Sequence, residues 1–277
     1  MKIIYHSRDL DGYCSGAILK KRFPQAELIG YDYGQAIPKI DDGDEIIMVD
    51  VSIPMLDMAT MAMRCKLTWI DHHISAINDF GALPPNKITA VLDNAHSACE
   101  GAWRWAFPDR GVPLAVTMLG MYDTWRNHDK DWWDLEIMPF QYGMRTLCHS
   151  AESFPEFMLE SDVDLQDIIQ LGAVILRYQK DQYMIAAKSA FEFDWKGYRC
   201  IALNGGGFNS MAFDSVYDEA KHDIMMPFKF NGKMWIFSLY TTKDIDCSAI
   251  AKEMGGGGHK KAAGFQVETL AQMGFRI

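Results

Sequence analysis

Three short apolar runs near the start of the chain each end in side chains able to bind a cation: IIYH leading into SRDLDG, IIMVD, and LTWIDHH. Runs of this length, bounded by polar turns and alternating with helical patterns, mark buried strands of a parallel sheet with covering helices. All strands of such a sheet end on one edge, and ligands bind in the crevice there. Residues far apart in sequence then meet, so His6, Asp9, Asp11, Asp50, Asp71, His72 and His73 are expected to share one pocket.

The pattern predicts strands over Lys2–Tyr5, Glu27–Tyr31, Glu45–Val49 and Leu67–Ile70, with helices over Gly12–Phe23 and Met55–Met63. From Ser97 to about Leu147 the periodicity turns helical. A proline-free segment from Asp164 to Phe191 carries apolar residues at Leu165, Ile168, Ile169, Leu171, Ile175 and Leu176, as a long amphipathic helix does. Strands are expected again at Tyr198–Leu203, Met226–Phe230, Met234–Leu239 and Ala263–Val267, with Asn231-Gly232 as a hairpin turn. The fold class is therefore α/β: a parallel-sheet domain over 1–163, a linker helix over 164–191, and a smaller α/β domain over 192–277, with the active site in the cleft between the domains.

Net charge separates the candidate ligands. At −10 over 277 residues, the surface repels a long phosphate backbone, which excludes long duplex DNA as a main partner. Small anionic substrates remain, because bound cations reverse the field locally. Six scattered cysteines without a CxxC pair suggest reduced thiols and a cytoplasmic location. The N-terminus leaves no room for a signal-peptide apolar region, and no window approaches the roughly 18 apolar residues of a membrane span. No membrane partner is expected.

So many carboxylates in one pocket repel one another unless cations offset them. Mixed Asp and His donors without cysteine suit Mn²⁺, with Mg²⁺, Fe²⁺ or Zn²⁺ as replacements. One Asp able to bridge makes a pair of ions roughly 3.5 to 4 Å apart plausible. Asp11, just before the expected helix, fits an N-cap as well as a ligand, and Asp71 fits a residue that orients a neighbouring histidine. The glycine run Gly255–Gly258 before His259 reads either as a loop ahead of a strand or as a phosphate clamp, since residues without Cβ let backbone N–H groups approach an anion. Trp103, Trp105, Trp125, Trp132 and Trp133 read as packing residues before base platforms, and Met55, Met58 and Met61 as core.

Taken together, HSRDLDG, Val49-Asp50, Asp71-His72-His73, Asp123 in GMYDTW and the late GGGGHKKAAGF resemble the DHH phosphoesterases that carry a DHH-associated C-terminal domain, including the oligoribonuclease-like members. The resemblance implies a Mn²⁺-preferring dinuclear site, with His6 and Asp9 on one ion, Asp11, His72 and Asp123 on the other, and Asp50 bridging. It implies catalytic roles for Asp50, Asp71, His72 and His73. Substrate would be bound by His73, Gly256, Gly257, Gly258 and His259. Asp123 comes from the resemblance alone, since it lies in a helical region. Two departures stand out: only Ser7 and Arg8 separate His6 from Asp9, where many relatives have three residues, and an Arg-Ser pair common ahead of the glycine loop is absent. Thr241, Thr242 or Lys243 are its candidate substitutes.

The implied activity is metal-dependent hydrolysis of short oligonucleotides or linear dinucleotides to mononucleotides. Alternatives are a 3′-phosphoadenosine 5′-phosphate phosphatase, a cyclic dinucleotide phosphodiesterase, or a catalytically silent nucleotide-binding module. Homodimers are common among such proteins.

Overall fold

The N-terminal apolar runs form a five-stranded sheet in the order β2-β1-β3-β4-β5, with every neighbouring pair parallel. The strands are β1 (Lys2–His6), β2 (Glu27–Tyr31), β3 (Glu45–Val49), β4 (Lys66–Asp71) and β5 (Ile88–Leu92). The structure is a computed structural model that describes residues 1–80 and 88–274, and the chain divides into two compact units, Met1–Leu176 and Arg177–Ile277.

β3 and β4 read as unbroken apolar runs because both faces of a parallel sheet are covered. Ile46, Ile47, Met48, Val49, Leu67, Trp69 and Ile70 are all buried. The covering elements are α1 (Leu10–Arg22), α2 (Met55–Arg64), α3 (Ile74–Phe80), α4 (Ala98–Ala106) and α5 (Leu114–Asp123). Met58 and Met61 of α2 pack into the core with Trp69 and Met48, as their helical spacing predicts. A short α6 (Lys130–Trp132) continues through a π-helical turn, Trp133–Ile137, into α7 (Met138–Leu147). Trp103 and Trp133 are buried, whereas Trp125 is exposed.

The helix expected over 164–191 is α8 (Gln166–Ala187), and the division between the two units falls inside it. The second unit is a six-stranded mixed sheet, ordered β10-β11-β9-β8-β7-β6. Its strands are β6 (Phe191–Trp195), β7 (Tyr198–Asn204), β8 (Ile224–Phe230), β9 (Trp235–Tyr240), β10 (Gly257–Gly258) and β11 (Ala262–Val267), with α9 (Cys247–Glu253) packed on one core cluster and Tyr183 of α8 on another. The Asn231-Gly232 hairpin is present, with Gly232 at φ +96°. No helix among the described residues is long and apolar enough to cross a membrane.

Three elements depart from the sequence reading. β5 is a half-buried strand at the sheet edge, so its periodicity is weak. β6 begins where the long helix was expected to end, because Ala187 rather than Phe191 closes α8. Asp9, not Asp11, caps α1: its side chain accepts the N–H of Gly12 at 3.0 Å.

Candidate metal centre

The strand order reverses between β1 and β3, with β2 on one side of β1 and β3, β4 and β5 on the other. At such a switch point the loops leaving the strands diverge and open a crevice at their carboxyl ends. Register sets what lines it. Tyr5 pairs with Val49 and Val49 with Ile70, so the next residues in each strand, His6, Asp50 and Asp71, come level on one edge. Gly12 makes the β1-to-α1 turn possible. A Cβ there would lie 2.0 Å from the carbonyl oxygen of His6.

Three groups of side chains share Asp50: one is made with Asp71 and His73, and the other two gather the expected ion ligands. Of these two, His6, Asp9 and Asp50 form one, and Asp11, Asp50 and His72 the other, each with its candidate donor atoms within 4.8 Å of one another. His6 Nδ1 lies 2.9 Å from Asp9 Oδ2 and 3.4 Å from Asp50 Oδ2. His72 Nε2 lies 3.3 Å from Asp50 Oδ1, 3.6 Å from Asp11 Oδ2 and 3.2 Å from Asp123 Oδ2. Asp50 thus turns one oxygen toward each histidine. Its backbone adopts φ +60°, a left-handed conformation uncommon outside glycine and best tolerated by Asn and Asp.

Around these, further contacts fix orientation. Asp11 accepts the N–H groups of Ala98 and Cys99, each at 2.9 Å, so the amino end of α4 holds its carboxylate. Asp71 accepts from the backbone N–H of His72 and of His73, from Trp69 Nε1, and pairs with His73 Nδ1 at 2.8 Å. Asn94, in the loop after β5, donates to the carbonyl of His72 at 2.7 Å. Asp71 therefore acts as an orienting residue for the His72-His73 pair. Asp32, at the end of β2, stands 3.7 Å from His6 Nε2 and 3.2 Å from Arg8 Nε. Asp32 directly follows β2 as Asp50 follows β3, a strand-end signal for a site residue that is present in the sequence but absent from the expected set.

Electrostatically the site is frustrated without cations. Burial and the neighbouring Asp11 and Asp9 push the Asp50 carboxyl well above its ordinary range, and burial with Asp11 does the same to Asp123. Burial works against charge on His6, yet the adjoining carboxylates of Asp50 and Asp9 hold it up to about 11. Burial likewise opposes charge on His73, while its bond to Asp71 raises it to about 9. Asp50 is 1% exposed, and neither of its oxygens accepts a hydrogen bond from a described residue. A buried carboxylate that accepts no hydrogen bond and stands amid others is what a divalent cation satisfies. The donors are imidazole nitrogens and carboxylate oxygens, a set that fits hard to borderline divalent ions.

In the second unit the glycine segment is more ordered than a loop. Gly257 and Gly258 form β10, paired with Gly264 and Ala263 of β11. The N–H groups of Gly256 and His259 donate to the carbonyls of Ala251 in α9 and Ala262 in the hairpin, so these two N–H groups are already used within the chain. The candidate substitutes for the Arg-Ser pair are committed as well. Thr241 donates to the carbonyl of Asp223, Thr242 to Glu219, and Lys243 to the Asp223 carboxylate.

The fold and site define a doubly wound α/β protein with a buried Asp/His cluster at its switch point. Residues 2–120 match the DHH family, N-terminal domain. An uncharacterized protein of Acanthamoeba polyphaga mimivirus is 25% identical over 239 residues, which cover 79% of this chain; the chain spans about half of that relative, 52% of its length. Among solved structures, a pGpG-specific phosphodiesterase of Vibrio cholerae aligns over 98% of this chain and 95% of its own at 12% identity and a TM-score of 0.51. An exopolyphosphatase-related protein of Bacteroides fragilis aligns over 95% and 85% at 13% identity and a TM-score of 0.54. At these identities the likeness is one of fold.

Proposed function

We propose that the protein is a divalent-cation-dependent phosphodiesterase that hydrolyses short oligonucleotides or linear dinucleotides to mononucleotides, with two Mn²⁺ ions as the preferred cofactor. The observation that carries this reading is Asp50: a buried carboxylate without a hydrogen-bond donor, shared between two groups of ligand side chains. A structural site closes with about four ligands, whereas this one gathers His6, Asp9, Asp11, Asp50, His72 and Asp123. Two fused sites suit two-metal phosphoester chemistry. The pGpG specificity of a protein with a similar fold supports a linear dinucleotide as substrate.

His6, Asp9 and Asp50 would hold one ion, and Asp11, Asp50, His72 and Asp123 the other. Cations bound there supply water activation and charge stabilisation on the phosphoryl group. Asp71 keeps His73 oriented through Nδ1, which fits His73 for contact with the substrate phosphate. Asp9 does double duty, capping α1 while facing His6, so the helix start fixes the ligand. Gly256–His259 are proposed to help bind a substrate phosphate through the His259 side chain rather than through the N–H groups of Gly256 and His259, which already bond within the chain.

The test is hydrolysis with and without Mn²⁺ of a 5′-phosphorylated dinucleotide, a longer oligoribonucleotide, a cyclic dinucleotide and 3′-phosphoadenosine 5′-phosphate, by wild type and Asp50→Ala. Release of mononucleotides from the dinucleotide, abolished by EDTA and by the substitution, is the expected result. Preference for 3′-phosphoadenosine 5′-phosphate would move the assignment to a phosphatase. Absence of turnover on all four would overturn it.

A further inference from the structure

A cavity of about 360 Å³ opens beside the metal centre within the N-terminal unit. Asp9, Asp11 and Asp123 form part of its lining, and Tyr122, Gln141 and Arg145 another part. The last two lie one helical turn apart on α7, so they share a face. A π-helical turn immediately precedes α7, and such turns concentrate at functional sites.

Two groups in this lining are incompletely satisfied by the described residues. Gln141 is 6% exposed, and its Oε1 is buried without a hydrogen bond from any described residue. A buried amide oxygen left unpaired is costly, and the donor it lacks is an N–H or O–H group. The Arg145 guanidinium lies over the rings of Tyr122 and Tyr142, at 5.6 and 4.8 Å, and donates to the Tyr122 hydroxyl at 3.2 Å. Among the described residues no carboxylate is within ion-pair distance of it. Its donors therefore suit an outside anion.

A ligand offering both a donor and an anion, next to a centre for phosphoryl chemistry, is a nucleotide. We propose that this cavity is a nucleotide subsite: a base N–H or ribose O–H donates to Gln141 Oε1, and a phosphate oxygen accepts from Arg145. The inference rests on the phosphodiesterase reading and adds to it where one half of the substrate is held. Inorganic phosphate answers Arg145 but brings neither the base N–H nor the ribose O–H assigned to Gln141.

Calorimetric titration of the full chain in Mn²⁺ with adenosine 5′-monophosphate, and separately with inorganic phosphate, tests this. Wild type is expected to bind the nucleotide more tightly than phosphate. Gln141→Leu and Arg145→Ala are each expected to weaken nucleotide binding about tenfold, and Gln141→Leu to leave phosphate binding as it was; melting temperatures establish that both variants fold. In parallel, kcat/KM for a dinucleotide should fall about tenfold further in each variant than kcat/KM for bis(p-nitrophenyl) phosphate, which has no nucleoside. Nucleotide binding unchanged in folded variants overturns the subsite, whatever the enzyme hydrolyses. Loss of nucleotide affinity in the variants, with wild type hydrolysing neither phosphodiester, would uphold the subsite and remove the phosphodiesterase reading instead.

Discussion

Asp50→Asn should stabilise the protein when cations are chelated and abolish its stabilisation by Mn²⁺. Asn keeps the shape and accepts the left-handed backbone at φ +60°, while removing a carboxylate that is 1% exposed and accepts no hydrogen bond from a described residue beside Asp9 and Asp11. Removing that buried charge, with its repulsion from Asp11 and Asp9, is worth about 1–3 kcal/mol. For a unit the size of Met1–Leu176 each kcal/mol moves the midpoint by about 2–4 °C. In wild type, Mn²⁺ at a hundred times its Kd should add about 2.7 kcal/mol, and the variant, having lost the residue common to both groups of ligands, should gain little. Differential scanning calorimetry of both proteins in EDTA and in Mn²⁺ measures all four midpoints. A variant that melts below wild type in EDTA, or that keeps the full Mn²⁺ shift, would refute the claim that Asp50 is a charge awaiting cations.

Asp71→Asn should lower turnover about 10- to 100-fold through loss of control over His73, with metal content by mass spectrometry unchanged, because Asp71 faces imidazole and backbone donors. Gly12→Ala places a Cβ 2.0 Å from the His6 carbonyl; it should cost about 1–3 kcal/mol or more in denaturant titration and weaken Mn²⁺ binding by displacing His6. In the second unit, hydrogen bonds from Arg199 and Lys243 hold the Asp223 carboxyl below its ordinary range. A depressed folded pKa means that this stabilisation is present above the unfolded value of 3.8 and is lost as pH falls through the folded one. Urea unfolding of that unit, followed by tryptophan fluorescence, should show wild type losing more stability than Asp223→Asn between pH 6 and acid pH.

What the sequence determined by itself was the edge of a sheet. Strand-length apolar runs that each stop at His or Asp require neither alignment nor coordinates to be placed together, because parallel strands all end on the same side; His6, Asp50, Asp71, His72 and His73 meet for that reason, and Asp9 and Asp11 follow within the turn after β1. The packing of helices on that sheet carries no such rule. Asp123 reaches His72 from the last residue of α5, and its position was legible only through family resemblance. Gln141 and Arg145 reach the adjoining cavity from α7, and nothing in local periodicity separates a buried glutamine with an unpaired oxygen from one that is satisfied. β5 went unread for a related reason: a half-buried edge strand has no strong pattern. Only the tertiary structure could decide these, since a helix face meets its neighbours at positions set by side-chain packing over the whole unit, whereas a strand's end is set by the strand.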